Sequence, residues 1–134
     1  MWLAVSRKYP VSATIQPMAT TVLIVDDHPS FRASARTLLE DEGFDVVGEA
    51  ENGQSALEAV ERLHPDLVLL DVQLPDLDGF QVVKRLRCNG GSPCVVLTSS
   101  RDASDFGTTV TDCGALGFIA KAELSGAALT RLMR

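Results

Sequence analysis

No apolar run in these 134 residues approaches the roughly 20 that a membrane-spanning helix needs. Arg7 and Lys8 follow a weakly apolar start, but the apolar core of a signal peptide is missing. Cysteine is scarce: Cys88, Cys94 and Cys113 are odd in number and lack metal-site spacing, so three reduced thiols in a cytosolic protein are expected. Positive charge is also short, with 12 Lys and Arg against 18 Asp and Glu and a net charge of -6. Such a chain has no electrostatic reason to bind nucleic acid, and no basic recognition helix is present. What it does have is apolar content: 46% hydrophobic against 22% charged residues, enough for one folded domain with one core.

Residues 1–20 stand apart, with Pro10, Pro17, Ser and Thr and no clear periodicity. They are expected to be a disordered N-terminal extension with Met18 as the natural start, which leaves Trp2 without a core role. A single domain is expected over 21–134. Within it, short apolar runs alternate with amphipathic stretches. Strands are expected at Val22–Val25, Phe44–Ala50, Leu67–Leu70, Cys94–Leu97 and Leu116–Ile119. A helix begins near Pro29 and ends near Gly43, and Asn52 caps a second that Pro65 breaks. A third follows Gly79, a weaker one spans 102–112, and the last carries Leu124, Ala128, Leu129 and Leu132. Five such β–α repeats indicate an α/β fold, a parallel sheet covered on both faces.

Ligands of such sheets sit beyond the carboxyl ends of the strands. Asp26, Asp27, Asp71, Ser99 and Lys121 all fall there. Three carboxylates gathered at one sheet edge resist joint ionisation. A divalent cation relieves them, and hard oxygen ligands suit Mg²⁺. A carboxylate such as Asp71 can also attack phosphorus and form an acyl phosphate. The Ser99 hydroxyl could donate to a phosphoryl oxygen, with Thr98 and Ser100 beside it leaving the register open. The Lys121 ammonium could pair with Asp71 at rest and with a phosphoryl group later.

The strings LIVDDH, LVLLDVQLPDLDG, VVLTSS and GALGFIAK, taken together from about Thr21 to Arg134, resemble the bacterial response-regulator receiver domain. The resemblance implies a flavodoxin-like (βα)5 three-layer sandwich with sheet order 2-1-3-4-5. It implies that Asp71 is the phosphoacceptor and that Asp26, Asp27, Asp71 and the Gln73 backbone carbonyl hold Mg²⁺. Spacing to Lys121 favours Ser99 as the family's switch hydroxyl, Lys121 matches the family's lysine, and Phe118 its aromatic switch position. Pro75 and Gly79 would shape the loop after Asp71. Two departures stand out. Ala122 follows the lysine where many receivers have proline, and Gln73 and Arg101 border the expected path of the hydrolytic water.

The implied function is a phosphorylation-controlled binding module in the cytoplasm. Its donor is a sensor histidine kinase or phosphotransfer protein, its target a downstream output protein, and dimerisation on phosphorylation is implied by likeness alone. The spelling Asp27-His28 is frequent in receivers joined to helix-turn-helix domains, so the chain is either a stand-alone receiver or part of a DNA-binding regulator. His28 itself is expected to cap a helix. An aspartyl-phosphate phosphohydrolase is disfavoured, because that chemistry wants an acid where Gln73 stands.

Overall fold

Five short runs rich in valine and leucine pair into one parallel sheet, and the helices between them cover its two faces. The computed structural model describes residues 19–88, 93–101, 103–107 and 109–133; the expected extension through Met18, with Trp2, lies outside them, as does the thiol of Cys88. The strands are β1 (Thr21–Val25), β2 (Asp45–Ala50), β3 (Leu67–Asp71), β4 (Cys94–Ser99) and β5 (Gly117–Ala120). The helices are α1 (Pro29–Asp41), α2 (Gly53–Leu63), α3 (Gly79–Cys88), the single turn α4 (Thr109–Asp112) and α5 (Gly126–Met133). The sheet order is β2-β1-β3-β4-β5, the expected flavodoxin-like arrangement.

Strand alternation divides the core in two. Leu23, Val25, Val68, Leu70, Val95 and Leu97 pack with Ala56 and Ala59 of α2 and Val82, Val83 and Leu86 of α3. Val22, Ile24, Leu67, Leu69, Val96 and Ile119 pack with Ala35 and Leu39 of α1 and Leu129 of α5. Each fully buried Leu or Val contributes about 1.5–3 kcal/mol relative to exposure. The chain leaves β1 for β2 on one side and returns to β3 on the other, so the crevice at the β1 and β3 carboxyl ends is the switch point of the sheet.

Several expected boundaries move. β4 runs two residues further, because Thr98 pairs with Asp71 and Ser99 with Ala120. β5 is shifted to Gly117–Ala120; Leu116 is 41% exposed and gives only its amide to the Val95 carbonyl. The expected helix over 102–112 is instead a 3-10 turn (Ala103–Phe106) and the four-residue α4. Gly107 between them has φ of +62°, and the Thr109-Val110-Thr111 run is β-branched, both poor for a continuous helix. Cys94 and Cys113 are free thiols, and Cys113 is buried with Sγ against the Val110 carbonyl.

The start of α2 is fully satisfied from two places. The Asn52 side chain accepts from Ser55 N, and the Ser55 hydroxyl accepts from Asn52 N, a reciprocal capping box. The two remaining exposed donors, Gly53 N and Gln54 N, reach the carboxylate of Asp76 at 2.7 and 2.9 Å. Asp76 sits in the loop after β3, so it ties that loop to α2 across the mouth of the sheet. These amides hold its carboxyl below the usual carboxylate range. A depressed carboxyl contributes stability above its ordinary range that is lost as pH falls through its folded value. Asp76→Ala is expected to cost about 1 kcal/mol at neutral pH, the scale of a lost cap, and to cost nothing near pH 2; urea melts at the two pH values check it.

Candidate functional site

The spacing of two places Asp26, Asp71 and Thr98 on one face. Val22, Ile24 and Asp26 share a side of β1, Leu67, Leu69 and Asp71 a side of β3, and Val96 and Thr98 a side of β4. Lys121 continues the same parity just past β5, beyond Ile119. All four lie at the carboxyl edge of the sheet. Asp26 and Ser99 are fully buried, and Asp71 and Thr98 are nearly so.

Lys121 Nζ lies 2.6 Å from Asp26 Oδ2 and 3.3 Å from Asp71 Oδ2. The first is a charge contact without hydrogen-bond alignment, since Asp26 Oδ2 has no aligned donor among the described residues. The ammonium also stands 4.6 Å from the centre of the Phe31 ring, a cation–π contact with no local signal in the sequence. Burial pushes the Asp26 carboxyl up, but Lys121 and the His28 backbone N–H outweigh it and the net direction is down. For Asp71 burial is again the largest influence, and with the nearby Asp26 charge it raises the carboxyl, against the Gln73 N–H and Lys121. Burial lowers Lys121, yet its two carboxylate partners leave it above the usual lysine range.

Asp27 and His28 complete the rim. His28 stands at the N-cap position of α1 but makes no side-chain cap, which corrects the expected capping role. Its ring Nδ1 lies 2.9 Å from Asp26 Oδ1 and 3.1 Å from Asp27 Oδ1 instead. Pro29 in the first turn already supplies the helix start. The Arg32 guanidinium donates from Nη1 to the Asp26 backbone carbonyl at 2.6 Å and from Nε to Glu49 Oε1 at 3.0 Å, which pins the end of β1 to β2. Ligand atoms of Asp26, Asp27, His28 and Asp71 all lie within 4.8 Å of one another. Three carboxylates at that separation are a donor set suited to a hard divalent cation.

The structure separates the neighbouring hydroxyls. Ser99 pairs with Ala120 and alternates to the other face, and its Oγ accepts the Arg101 backbone N–H at 3.1 Å. Thr98 is the residue in register with Asp71. Its Oγ1 is buried and has no hydrogen-bond partner among the described residues.

Gln73 is exposed and its backbone N–H donates to Asp71 Oδ1 at 3.1 Å. Arg101 is held elsewhere, with its guanidinium 5.3 Å from the Phe106 ring centre and 3.7 Å from Asp105. Phe118 is half-buried at the edge of the α2–α3 core, 5.9 Å from Phe106, which in turn meets Phe80 at 5.8 Å. Gly79 N donates to the Val72 carbonyl at 2.7 Å and closes the loop behind Asp71.

Comparison with known proteins gives the same frame. Residues 22–132 match the family model described as response regulator receiver domain. The virulence factors transcription regulator BvgA of Bordetella pertussis is 41% identical over 106 residues, 79% of this chain and 51% of that protein. The DNA-binding transcriptional activator EvgA of Escherichia coli K12 is 37% identical over 101 residues, 75% of this chain and 50% of that protein. The chain therefore spans about half the length of the curated relatives it matches. The signal receiver domain of the response regulator NarL from Mycobacterium tuberculosis superimposes with TM-score 0.77 at 34% identity, covering 87% of this chain and 98% of that one. The chemotaxis regulator CheY4 of Vibrio cholerae, at 24% identity and TM-score 0.73 over 85% of this chain and 98% of that one, shares the fold. The chain belongs to the response regulator receiver domain family, whose members are signalling domains.

Proposed function

We propose that this domain accepts a phosphoryl group on Asp71 from the phosphohistidine of a sensor kinase or phosphotransfer protein. A carboxylate oxygen of Asp71 attacks phosphorus, the P–N bond breaks, and the imidazole leaves with the electron pair. The observation that carries this reading is the Asp26–Lys121–Asp71 arrangement, a buried acid with a shared cation at a sheet edge. Lys121 keeps Asp71 ionised against its burial and can follow the new negative charge. Thr98, whose hydroxyl has no partner among the described residues, stands in register with Asp71 and donates to a phosphoryl oxygen, the role expected of Ser99. Mg²⁺ held by Asp26, Asp27, Asp71 and the Gln73 carbonyl would supply charge neutralisation for the incoming phosphoryl oxygens.

The switch follows from the same contacts. As Thr98 and Lys121 turn toward the phosphoryl group, the β4–β5 edge tightens and Phe118 repacks inward. The face formed by α4, β5 and α5 then changes its affinity for an output partner or for a second copy. Among the described residues no helix is long and apolar enough to cross a membrane, and a cytoplasmic site of action fits the kinase donor. A second reading, favoured by the doubled length of the relatives, is that the chain is the receiver part of a DNA-binding regulator; the gene sequence downstream of Arg134 decides it.

The test is labelling by a small phosphodonor with Mg²⁺. Asp71→Asn is expected to take no label, and a labelled variant would overturn the assignment. Thr98→Val is expected to accept label but not to shift the Phe118 resonances. Because the Thr98 hydroxyl has no partner among the described residues, the substitution should leave the unmodified fold as stable as before. Ser99→Ala is expected to keep the shift; the reverse pattern returns the role to Ser99.

A further inference from the structure

We infer that Phe31 is a positioning residue for Lys121: its ring face holds the ammonium in the resting place beside Asp26 and opposes the shift toward a phosphoryl group on Asp71. This rests on the reading of the pocket above and adds a residue that sets its balance. Phe31 stands in the first turn of α1, and its ring centre lies 4.6 Å from Lys121 Nζ. The Lys121 side chain is only 16% exposed, so water competes weakly with the ring face for the charge. The backbone fixes the lysine less. Ala122 follows it where many receivers have proline, so the turn Lys121–Glu123 has no ring-fixed φ.

The distances show which way the ammonium leans. Nζ is 2.6 Å from Asp26 Oδ2 but 3.3 Å from Asp71 Oδ2. Asp26 follows β1 and Phe31 lies at the start of α1, so one short segment supplies both attractions. A phosphoryl group bonded to Asp71 adds negative charge at the end of β3 and draws the ammonium there. The ring cannot follow, because it packs against the core layer beneath α1 and α5. The ring contact is therefore stronger in the resting state than in the modified one. A difference of that kind is what shifts a two-state equilibrium, here toward rest.

Titration of the full chain with beryllofluoride and Mg²⁺, a mimic of the bound phosphoryl group, tests this in the parent, Phe31→Leu, Phe31→Tyr and Phe44→Leu. Leucine keeps the apolar packing and removes the ring face. Phe31→Leu is expected to bind the mimic about three- to tenfold more tightly, the free energy of a partly buried cation–π contact. Tyrosine keeps the face and should bind as the parent does. Phe44 is partly buried against the same core layer, and Phe44→Leu should leave binding unchanged. In the parent, the ring should shift the Lys121 ε-methylene resonances upfield, and the shift should shrink as the mimic binds and be absent in Phe31→Leu. If Phe31→Leu folds poorly, the parent's Lys121 shift with and without the mimic decides alone. Equal or weaker binding by a folded Phe31→Leu, or a Lys121 shift that persists at saturation, overturns the inference. A parent that binds no mimic overturns the reading of the pocket itself.

Discussion

Lys121→Met is expected to lower the unfolding free energy at neutral pH by about 3 kcal/mol, the low end of the cost of breaking a buried ion pair. The methionine keeps the stem and removes the charge that Asp26 and Asp71 share. Two buried carboxylates then face each other, and one must take up a proton. Asp71 is the one that does so, since burial and the Asp26 charge already raise it above the usual carboxylate range. The sign follows. A carboxyl whose folded value lies above its unfolded value favours the fold while protonated, and this is lost as pH rises. The variant should therefore be more stable in mild acid than at neutral pH. In the parent, Asp26 is held below its ordinary range, with Lys121 the main cause opposing its burial. Its contribution is present at neutral pH and lost only as pH falls through its folded value. Millimolar Mg²⁺ should raise the melting temperature of the variant more than that of the parent, since the ion replaces the missing cation. Thermal melts across pH with and without Mg²⁺ check this; equal Mg²⁺ responses would sink the idea that Lys121 is the resident counter-charge.

The parity that gathers Asp26, Asp71 and Lys121 was legible in the sequence, because each follows a continuous apolar run and strand side chains alternate strictly. Runs such as Leu67–Leu70, buried on both faces, also made the parallel sheet readable. The hydroxyl was not legible. Thr98, Ser99 and Ser100 are consecutive, and counting back from Lys121 crosses a connection whose length varies without cost to the sheet. Only the pairing of Thr98 with Asp71 separates them. The break at Gly107 is masked in the sequence by a weak apolar period that runs across a glycine the structure holds at positive φ. A capping role for His28 follows from local sequence alone, whereas its actual contacts depend on how Asp26 and Asp27 turn at the end of β1. Phe31 under Lys121 joins α1 to the residue after β5, a contact about 90 positions apart with no local signal.

Gly79→Ala is expected to damage both stability and phosphoryl acceptance, although a single methyl group is added. Gly79 opens α3, and its φ is not in the left-handed region, so backbone freedom is not the reason for glycine there. The reason is space. A Cβ at this position would stand 2.7 Å from the Asp71 carbonyl oxygen and 2.9 Å from Val72 Cα. Both are backbone atoms at the end of the central strand, fixed on one side by the Val72 N–H to Thr98 carbonyl bond of 2.9 Å. Relief must come from the loop, by lengthening the 2.7 Å bond from Gly79 N to the Val72 carbonyl. That loop carries Gln73, whose amide supports the Asp71 carboxylate, and Asp76, which caps α2. An overpacked site of this kind costs about 1–3 kcal/mol. Gly117→Ala is the control. Its Cβ would come as close, 2.8 Å, but to the end of the Leu132 side chain, which can turn aside. Urea melts and labelling rates should show Gly79→Ala impaired in both and Gly117→Ala in neither. If Gly79→Ala is destabilised yet labels at the parent rate, the loop does not position Asp71 through this contact.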